Sequence, residues 1–227
     1  MSDQNPGRQT WEAVDRYFSE WLVGSDPALD AALDASEAAG LPAIAVAPNQ
    51  GKLLHLLARA CHARQILEIG TLGGYSAIWL ARALPSDGRM ITLEADPRHA
   101  EVARANLAHA GVGELVDVRV GKALDTLPAL AAEGLGPFDL IFIDADKVSN
   151  ADYFTWGVQL SRPGSMIIVD NVVREGAVAD ASSNDPSVQG VRRLHEAIAA
   201  DPGVSATGLQ TVGVKGYDGL TIALVTG

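Results

Sequence analysis

The sequence predicts an α/β fold: an open, mostly parallel sheet with helices on both faces. Two observations carry this. From Arg64 onward, short apolar runs rich in Ile, Val and Leu alternate with helix-length segments, as expected for strands buried on both faces. Near the C-terminal end, two strand-like runs follow one another across a turn-rich segment, so those two must pair antiparallel.

The elements follow in order. Thr10 to Val23 reads as an amphipathic helix, with Trp11, Val14, Tyr17, Phe18, Trp21 and Leu22 spaced by threes and fours. Asp26 to Ala39 opens on Asp-Pro and stops at Gly40, a second helix. Leu41–Pro48 is a loop, and Asn49 to Ala60 a third helix with Leu53, Leu54, Leu56 and Leu57 directed inward. Strands are expected at Gln65–Ile69, Met90–Glu94, Val116–Val120, Phe138–Ile143 and Ser165–Val169. Helices are expected between them at Tyr75–Leu84, Pro97–Ala110, Ala123–Glu133 and Ala151–Leu160. Val188–Ala200 adds one more helix, and Val204–Val214 and Leu220–Val225 form the final pair of strands around Lys215–Gly219. Residues 1–48 are expected to cover a pocket built by residues 49–227, the whole forming one continuous domain.

Composition excludes several classes. The 227 residues are 48% hydrophobic and 20% charged, which suits a folded globule with a sizeable core rather than a disordered chain. Seventeen basic against 28 acidic side chains give a net charge of −11, a poor match to a phosphate backbone, so no nucleic-acid partner is expected. No run approaches the roughly 18–20 apolar residues of a membrane helix, and Met1 to Thr10 lacks the order of a signal peptide. Cys61, the single cysteine, cannot form an internal disulfide and reads as a small buried hydrophobe; it fits a reducing, cytoplasmic location.

In an open parallel sheet, ligands bind at the carboxyl ends of the strands. The loop after the first strand, Glu68-Ile69-Gly70-Thr71-Leu72-Gly73-Gly74-Tyr75-Ser76, lets a ligand approach the backbone closely. Glu94, about twenty residues beyond the glycines, stands where a carboxylate grips a ribose diol. The loop departs from the dinucleotide fingerprint, because Gly70 and Gly73 are separated by two residues. Glu68 would repel a pyrophosphate but suit a cation. That favours S-adenosylmethionine, a sulfonium with an ammonium group, over NAD.

The fourth strand ends in Asp144-Ala145-Asp146-Lys147 and the fifth in Asp170-Asn171. Asp144, Asp170 and Asn171 offer oxygen ligands only, which favours a hard divalent cation, Mg²⁺ above all, with Ca²⁺ or Mn²⁺ as alternatives. None of the five histidines lies in these loops, which speaks against zinc. Asp146 fits equally a helix cap and a cofactor contact. Lys147, partly desolvated beside a cation, can accept a proton from an acidified hydroxyl, although Asp144 and Asp146 push its charge the other way.

These residues together resemble the cation-dependent O-methyltransferases, the caffeoyl-coenzyme A O-methyltransferase-like and catechol O-methyltransferase-like group. The likeness runs from about residue 40 to Gly219-Leu220-Thr221-Ile222. It implies the class I S-adenosylmethionine-dependent methyltransferase Rossmann-like fold: a seven-stranded sheet with the last strand antiparallel, extra N-terminal helices and a homodimer. By resemblance, Val46, Glu68, Gly70, Thr71 and Ser76 hold the methionine part of S-adenosylmethionine, and Gly74 and Tyr75 belong to the same cofactor site. Glu94 holds the ribose, Ala123 contacts adenine, and Asp146 contacts the cofactor. Asp144, Asp170 and Asn171 bind the metal, and Lys147 is the general base. Ala145 stands where the animal catechol enzyme carries histidine, and the basic coenzyme A grip of the plant enzymes has no counterpart here. The implied reaction is methyl transfer to a hydroxyl of a catechol-type or related phenolic small molecule. A non-catechol natural product, an NAD-dependent oxidoreductase and a non-catalytic binding protein are the alternatives.

Overall fold

The structure is a computed structural model that describes residues 6–227; what the sequence implies for residues 1–5 lies outside the described residues. Helix α1 (Pro6–Phe18) continues into a wider turn, Ser19–Val23, and is followed by α2 (Pro27–Ala38) and α3 (Pro48–Ala60). Then come β1 (Gln65–Ile69), α4 (Tyr75–Ala81), β2 (Arg89–Glu94), α5 (Pro97–His109), β3 (Val116–Val120), α6 (Ala123–Ala132) and β4 (Leu140–Ile143). The chain continues through α7 (Asn150–Gln159), β5 (Met166–Asp170), α8 (Pro186–Ala200), β6 (Val204–Gly213) and β7 (Gly216–Val225).

The seven strands form one sheet in the order β3-β2-β1-β4-β5-β7-β6. β1 to β5 are parallel, and β7 is antiparallel to both β5 and β6. The seven-stranded fold expected from the sequence is therefore present. Sequence order alone left open which hairpin strand reaches the sheet. β7 does, because Leu220, Thr221 and Ala223 are buried; β6, with Ser205, Thr207 and Gln210 on it, is exposed and forms the edge. The hairpin turn is also tighter than expected, since Gly213 already pairs with Gly216.

Period-two alternation sorts strand side chains onto two cores. Ile66, Met90, Leu140 and Phe142 pack on one face with α2 to α5; Leu67, Ile91, Ile141 and Ile143 pack on the other with α6 to α8. Three helices start on Asp-Pro. The carboxylates of Asp26, Asp96 and Asp185 accept the first free N–H groups, while proline supplies the helical φ. Leu29 and Ala32 of α2 sit in the same core as α4 and α5, so the N-terminal region is packed into the sheet domain.

The apolar stripe of α1 does not face the core: Tyr17, Phe18, Trp21 and Leu22 are 58%, 45%, 70% and 66% exposed, because α1 leans on the β6 edge rather than on the sheet face. Leu56 is also exposed, whereas Leu54 is fully buried. Cys61 is half-buried against the first core, and burial raises its thiol pKa. Among the described residues, no helix is long and apolar enough to cross a membrane.

Asn106 on α5 binds the glycine loop to the helical layer. Its side-chain amide donates to the Gly73 carbonyl at 2.8 Å and the Ala32 carbonyl at 3.2 Å, and the residue is buried. Asn106→Ala removes both donors from a dry junction and should lower unfolding free energy by about 1–3 kcal/mol. Urea titration checks this; an unchanged midpoint would show that the junction does not depend on Asn106.

Candidate functional site

The carboxyl ends of β1, β2, β4 and β5 open into a cavity of about 790 Å³. Val46, Gly70, Thr71, Tyr75, Ser76, Glu94, Ala123, Asp144, Asp146, Lys147 and Asn171 all line it. A second cavity of about 430 Å³ adjoins it, with Asp170 on its wall. Asp144 and Asn171 line both, and so sit where the two cavities meet.

The turn that carries Asp144 is set by close backbone approach. Gly70 has φ +100°, and a Cβ there would overlap the Asp144 carbonyl. On the other side, a Cβ on Gly190 of α8 would overlap the Lys147 carbonyl. Asp144 N donates to the Ile69 carbonyl at 2.8 Å, which registers the turn against β1. Asp144–Val148 is thus held between the glycine loop and α8 with no room for a methyl group on either side.

Glu94 organises the glycine loop. Its Oε2 accepts from Thr71 N at 3.2 Å and Leu72 N at 2.7 Å, and its Oε1 from Asp96 N at 3.0 Å. The carboxylate is mostly buried yet still lines the cavity, with acceptor capacity left for a ribose hydroxyl. Asp146 is a cap, and its position leaves it facing the cavity as well. It caps the next turn through Ser149 N at 3.0 Å, accepts from the Tyr153 hydroxyl, and also lines the cavity.

Glu68 and Gly74 are not on the cavity wall. Gly74 opens α4 behind the loop. Glu68 is fully buried, accepting at 2.6 Å from Ser76 Oγ and at 2.6 Å from Thr92 Oγ1, which in turn lies 2.6 Å from Thr71 Oγ1. Burial pushes its carboxyl up to about 8, over the opposing effect of those hydrogen bonds, with Asp144 and Glu94 adding repulsion. Glu68 therefore stands one layer behind the cavity wall, tied to it through Ser76 and Thr71, with its carboxyl pKa raised by burial.

At the junction, Lys147 Nζ donates to Asp144 Oδ1 at 2.7 Å, and the lysine side chain is only 11% exposed. Asp170 is buried; its Oδ2 accepts from Gln50 Nε2 at 2.6 Å and its Oδ1 from Asn171 N at 2.7 Å. Burial and then repulsion from Asp144 push the Asp170 carboxyl up to about 7, against the attraction of Lys147. Asn171 itself adopts φ +56°, a left-handed conformation at the strand end. Among the described residues, no group of three or more His, Cys, Asp and Glu side chains could hold a metal ion. What the site offers is two mutually repelling carboxylates and an amide oxygen, a hard donor set that fits an oxygen-loving cation.

Sequence reasoning missed three side chains here. Gln50 reaches Asp170 from 120 residues away, with no local signal. Thr92 was visible as the one hydroxyl in the apolar strand Met90-Ile91-Thr92-Leu93. Arg174, on the loop after β5, lines both cavities.

Comparison with known proteins agrees with this geometry. A family model described as O-methyltransferase matches residues 26–225. A catechol O-methyltransferase of Niastella koreensis is 55% identical over 217 residues, which is 96% of this chain and 98% of that one. The O-methyltransferase from Bacillus cereus, solved in complex with SAH, superimposes with a TM-score of 0.95 at 57% identity, over 96% of this chain and 99% of that one. TomG from Streptomyces achromogenes, an O-methyltransferase involved in tomaymycin synthesis and solved with SAM, superimposes with a TM-score of 0.94 at 55% identity over 100% of both chains. The NAD-dependent alternative is set aside by these matches.

The buried Glu68 has a consequence for stability. The folded state keeps its proton up to about 8, whereas the unfolded chain releases it near 4.5. Between those values the folded state binds more protons, so stability falls as pH rises, by at most about 1.4 kcal/mol per pH unit. Glu68→Gln cannot ionise and should flatten that slope in urea titrations between pH 5 and pH 8; a slope identical to wild type would contradict the assignment.

Proposed function

As the chain belongs to the O-methyltransferase family and is an S-adenosylmethionine-dependent O-methyltransferase, we propose that it methylates one hydroxyl of a catechol-type phenolic small molecule with the help of a divalent cation. The observation that carries this reading is the junction, where Asp144 and Asn171 face both cavities and Asp170 lines the smaller one. The larger cavity takes the methyl donor and the smaller one the acceptor, so donor carbon and acceptor oxygen meet at these side chains.

In this reading Glu94 accepts from the ribose hydroxyls, held in place by Thr71 N and Leu72 N. Val46, Gly70, Thr71, Tyr75 and Ser76 surround the methionine part, Ala123 borders the adenine, and Asp146 contacts the cofactor while held by the Tyr153 hydroxyl. Glu68 and Gly74 act from behind, one by fixing Ser76 and the other by starting α4.

Asp144, Asp170 and Asn171 would hold the cation, with Mg²⁺ the best match to their oxygen donors and Ca²⁺ or Mn²⁺ the alternatives. When bound, it supplies the charge that lowers a hydroxyl pKa and orients a vicinal diol. As the neutral amine, Lys147 Nζ would take the hydroxyl proton, its side chain being largely desolvated and placed by Asp144 Oδ1. Holding donor and acceptor in line supplies much of the rate, up to roughly 7–11 kcal/mol in favourable cases. A net charge of −11 supports a small-molecule acceptor over nucleic acid. Mutually packed but exposed Tyr17, Phe18 and Trp21 support a homodimer. A single free cysteine supports a cytoplasmic location.

The test is methyl transfer from labelled S-adenosylmethionine to simple catechols, with Mg²⁺ and with excess EDTA. EDTA should abolish transfer, and Lys147→Ala should cut kcat by about 10²–10⁴-fold while S-adenosylhomocysteine still binds. Transfer indifferent to EDTA would refute the cation, and full activity of Lys147→Ala would refute the base. Gly190→Ala, which pushes on the Lys147 carbonyl from α8, should lower kcat by up to about 10²-fold with little change in cofactor affinity. Wild-type kcat in that variant would show that the turn tolerates displacement.

A further inference from the structure

The acceptor cavity contains more charge than the proposed chemistry uses. Four carboxylates line it, and each is engaged. Asp144 is bound by Lys147, and Asp170 by Gln50 and Asn171 N. Asp15 accepts from the Asn49 amide and from Val214 N at 2.9 Å. Asp218 Oδ1 accepts from Val173 N at 2.9 Å, Arg174 N at 3.1 Å and Gly219 N at 2.9 Å.

The cations on the same wall are not matched in this way. Lys215 Nζ reaches only the Ala43 carbonyl, at 3.3 Å, from an exposed position. Arg174 forms no ion pair among the described residues, and its Nε is shut off from solvent with no hydrogen-bond acceptor. Arg174 is only partly buried, and among the described residues no hydrogen bond engages the rest of its guanidinium, so its terminal N–H groups are the donors open to a ligand in the cavity. The backbone holds it there in an unusual conformation: Arg174 and Glu175 have φ +54° and +55°, left-handed values that non-glycine residues keep only where the surroundings enforce them. The enforcing contact is Asp218, whose carboxylate takes the N–H groups of both Val173 and Arg174.

We propose that Arg174 is the anion-recognising residue of the acceptor cavity, and that the preferred acceptor is a catechol bearing a carboxylate on its ring or on a short side chain. The proposal rests on the catechol reading above and adds the acceptor's charge. A diol seated at Asp144 and Asn171 would share its wall with Arg174, which like them lines both cavities. A guanidinium offers paired N–H donors in a plane, which matches a carboxylate better than any neutral substituent.

The experiment compares 3,4-dihydroxybenzoate with 4-methylcatechol as acceptors for wild type, Arg174→Gln and Arg174→Lys, and reads the ratio of their kcat/KM values. Binding of 3,4-dihydroxybenzoate and of S-adenosylhomocysteine is followed separately by calorimetry. Wild type should favour the carboxylate acceptor, Arg174→Gln should lower the ratio tenfold or more, and Arg174→Lys should recover part of it. A purely structural role would depress both acceptors alike and leave the ratio unchanged, which would overturn the proposal. An unchanged ratio with weakened S-adenosylhomocysteine binding would overturn it too, by assigning the guanidinium to the cofactor's carboxylate. Wild type that methylates 4-methylcatechol but rejects the benzoate would end this proposal and leave the catechol reading standing. Wild type that methylates neither would end both.

Discussion

The site depends on one close backbone contact, the passage of the turn after β4 between Gly70 and Gly190. Neither position has room for a methyl group, because one meets the Asp144 carbonyl and the other the Lys147 carbonyl. This constraint sets where Asp144 and Lys147 stand relative to the glycine loop. It also explains why α8, far along the chain, must be glycine where it crosses the turn. The parallel register of β1 with β4 and of β4 with β5 then brings the ends of all three strands to the same rim. Helix α3 closes the arrangement from above, with Gln50 bonded to Asp170.

Burial divides the acidic groups into two kinds. Glu68 is sealed behind Ser76 and Thr92, where desolvation raises its pKa and hydrogen bonds make it a strut. Asp144 and Asp170 face the cavities at close quarters, and their mutual repulsion is relieved only in part by Lys147. Glu94 lies between these extremes: three backbone N–H groups hold it, and it still borders the cavity. The same residue type thus supports a loop, a candidate cation site and a candidate ribose site, according to what surrounds it.

Much of this was legible in the sequence. The alternation of apolar runs and helices was enough for the sheet, because strands buried on both faces leave little choice of residue. Gly70, Glu94, Asp144, Asp170 and Asn171 could be located because strand ends are where such a sheet binds ligands. The rest depended on packing that no local pattern records. Gln50 and Arg174 reach the site from separate elements. Glu68 lies one layer behind the cavity wall, a depth that its place on an apolar strand does not record. The stripe of α1 has good helical periodicity, but periodicity says only that a face is apolar, and here that face is left exposed. The β6–β7 pair was recognisable as a hairpin, yet its attachment through β7 is decided by which strand is the more apolar on both faces.

The proposed chemistry turns on whether Asp144, Asp170 and Asn171 hold a cation between the two cavities. Electron paramagnetic resonance of Mn²⁺ titrated into the protein with S-adenosylhomocysteine bound would test it most directly. A single tight site is expected, whose spectrum changes when a catechol is added and which is lost in Asp170→Ala. Absence of tight binding, or binding that survives that substitution unchanged, would contradict it.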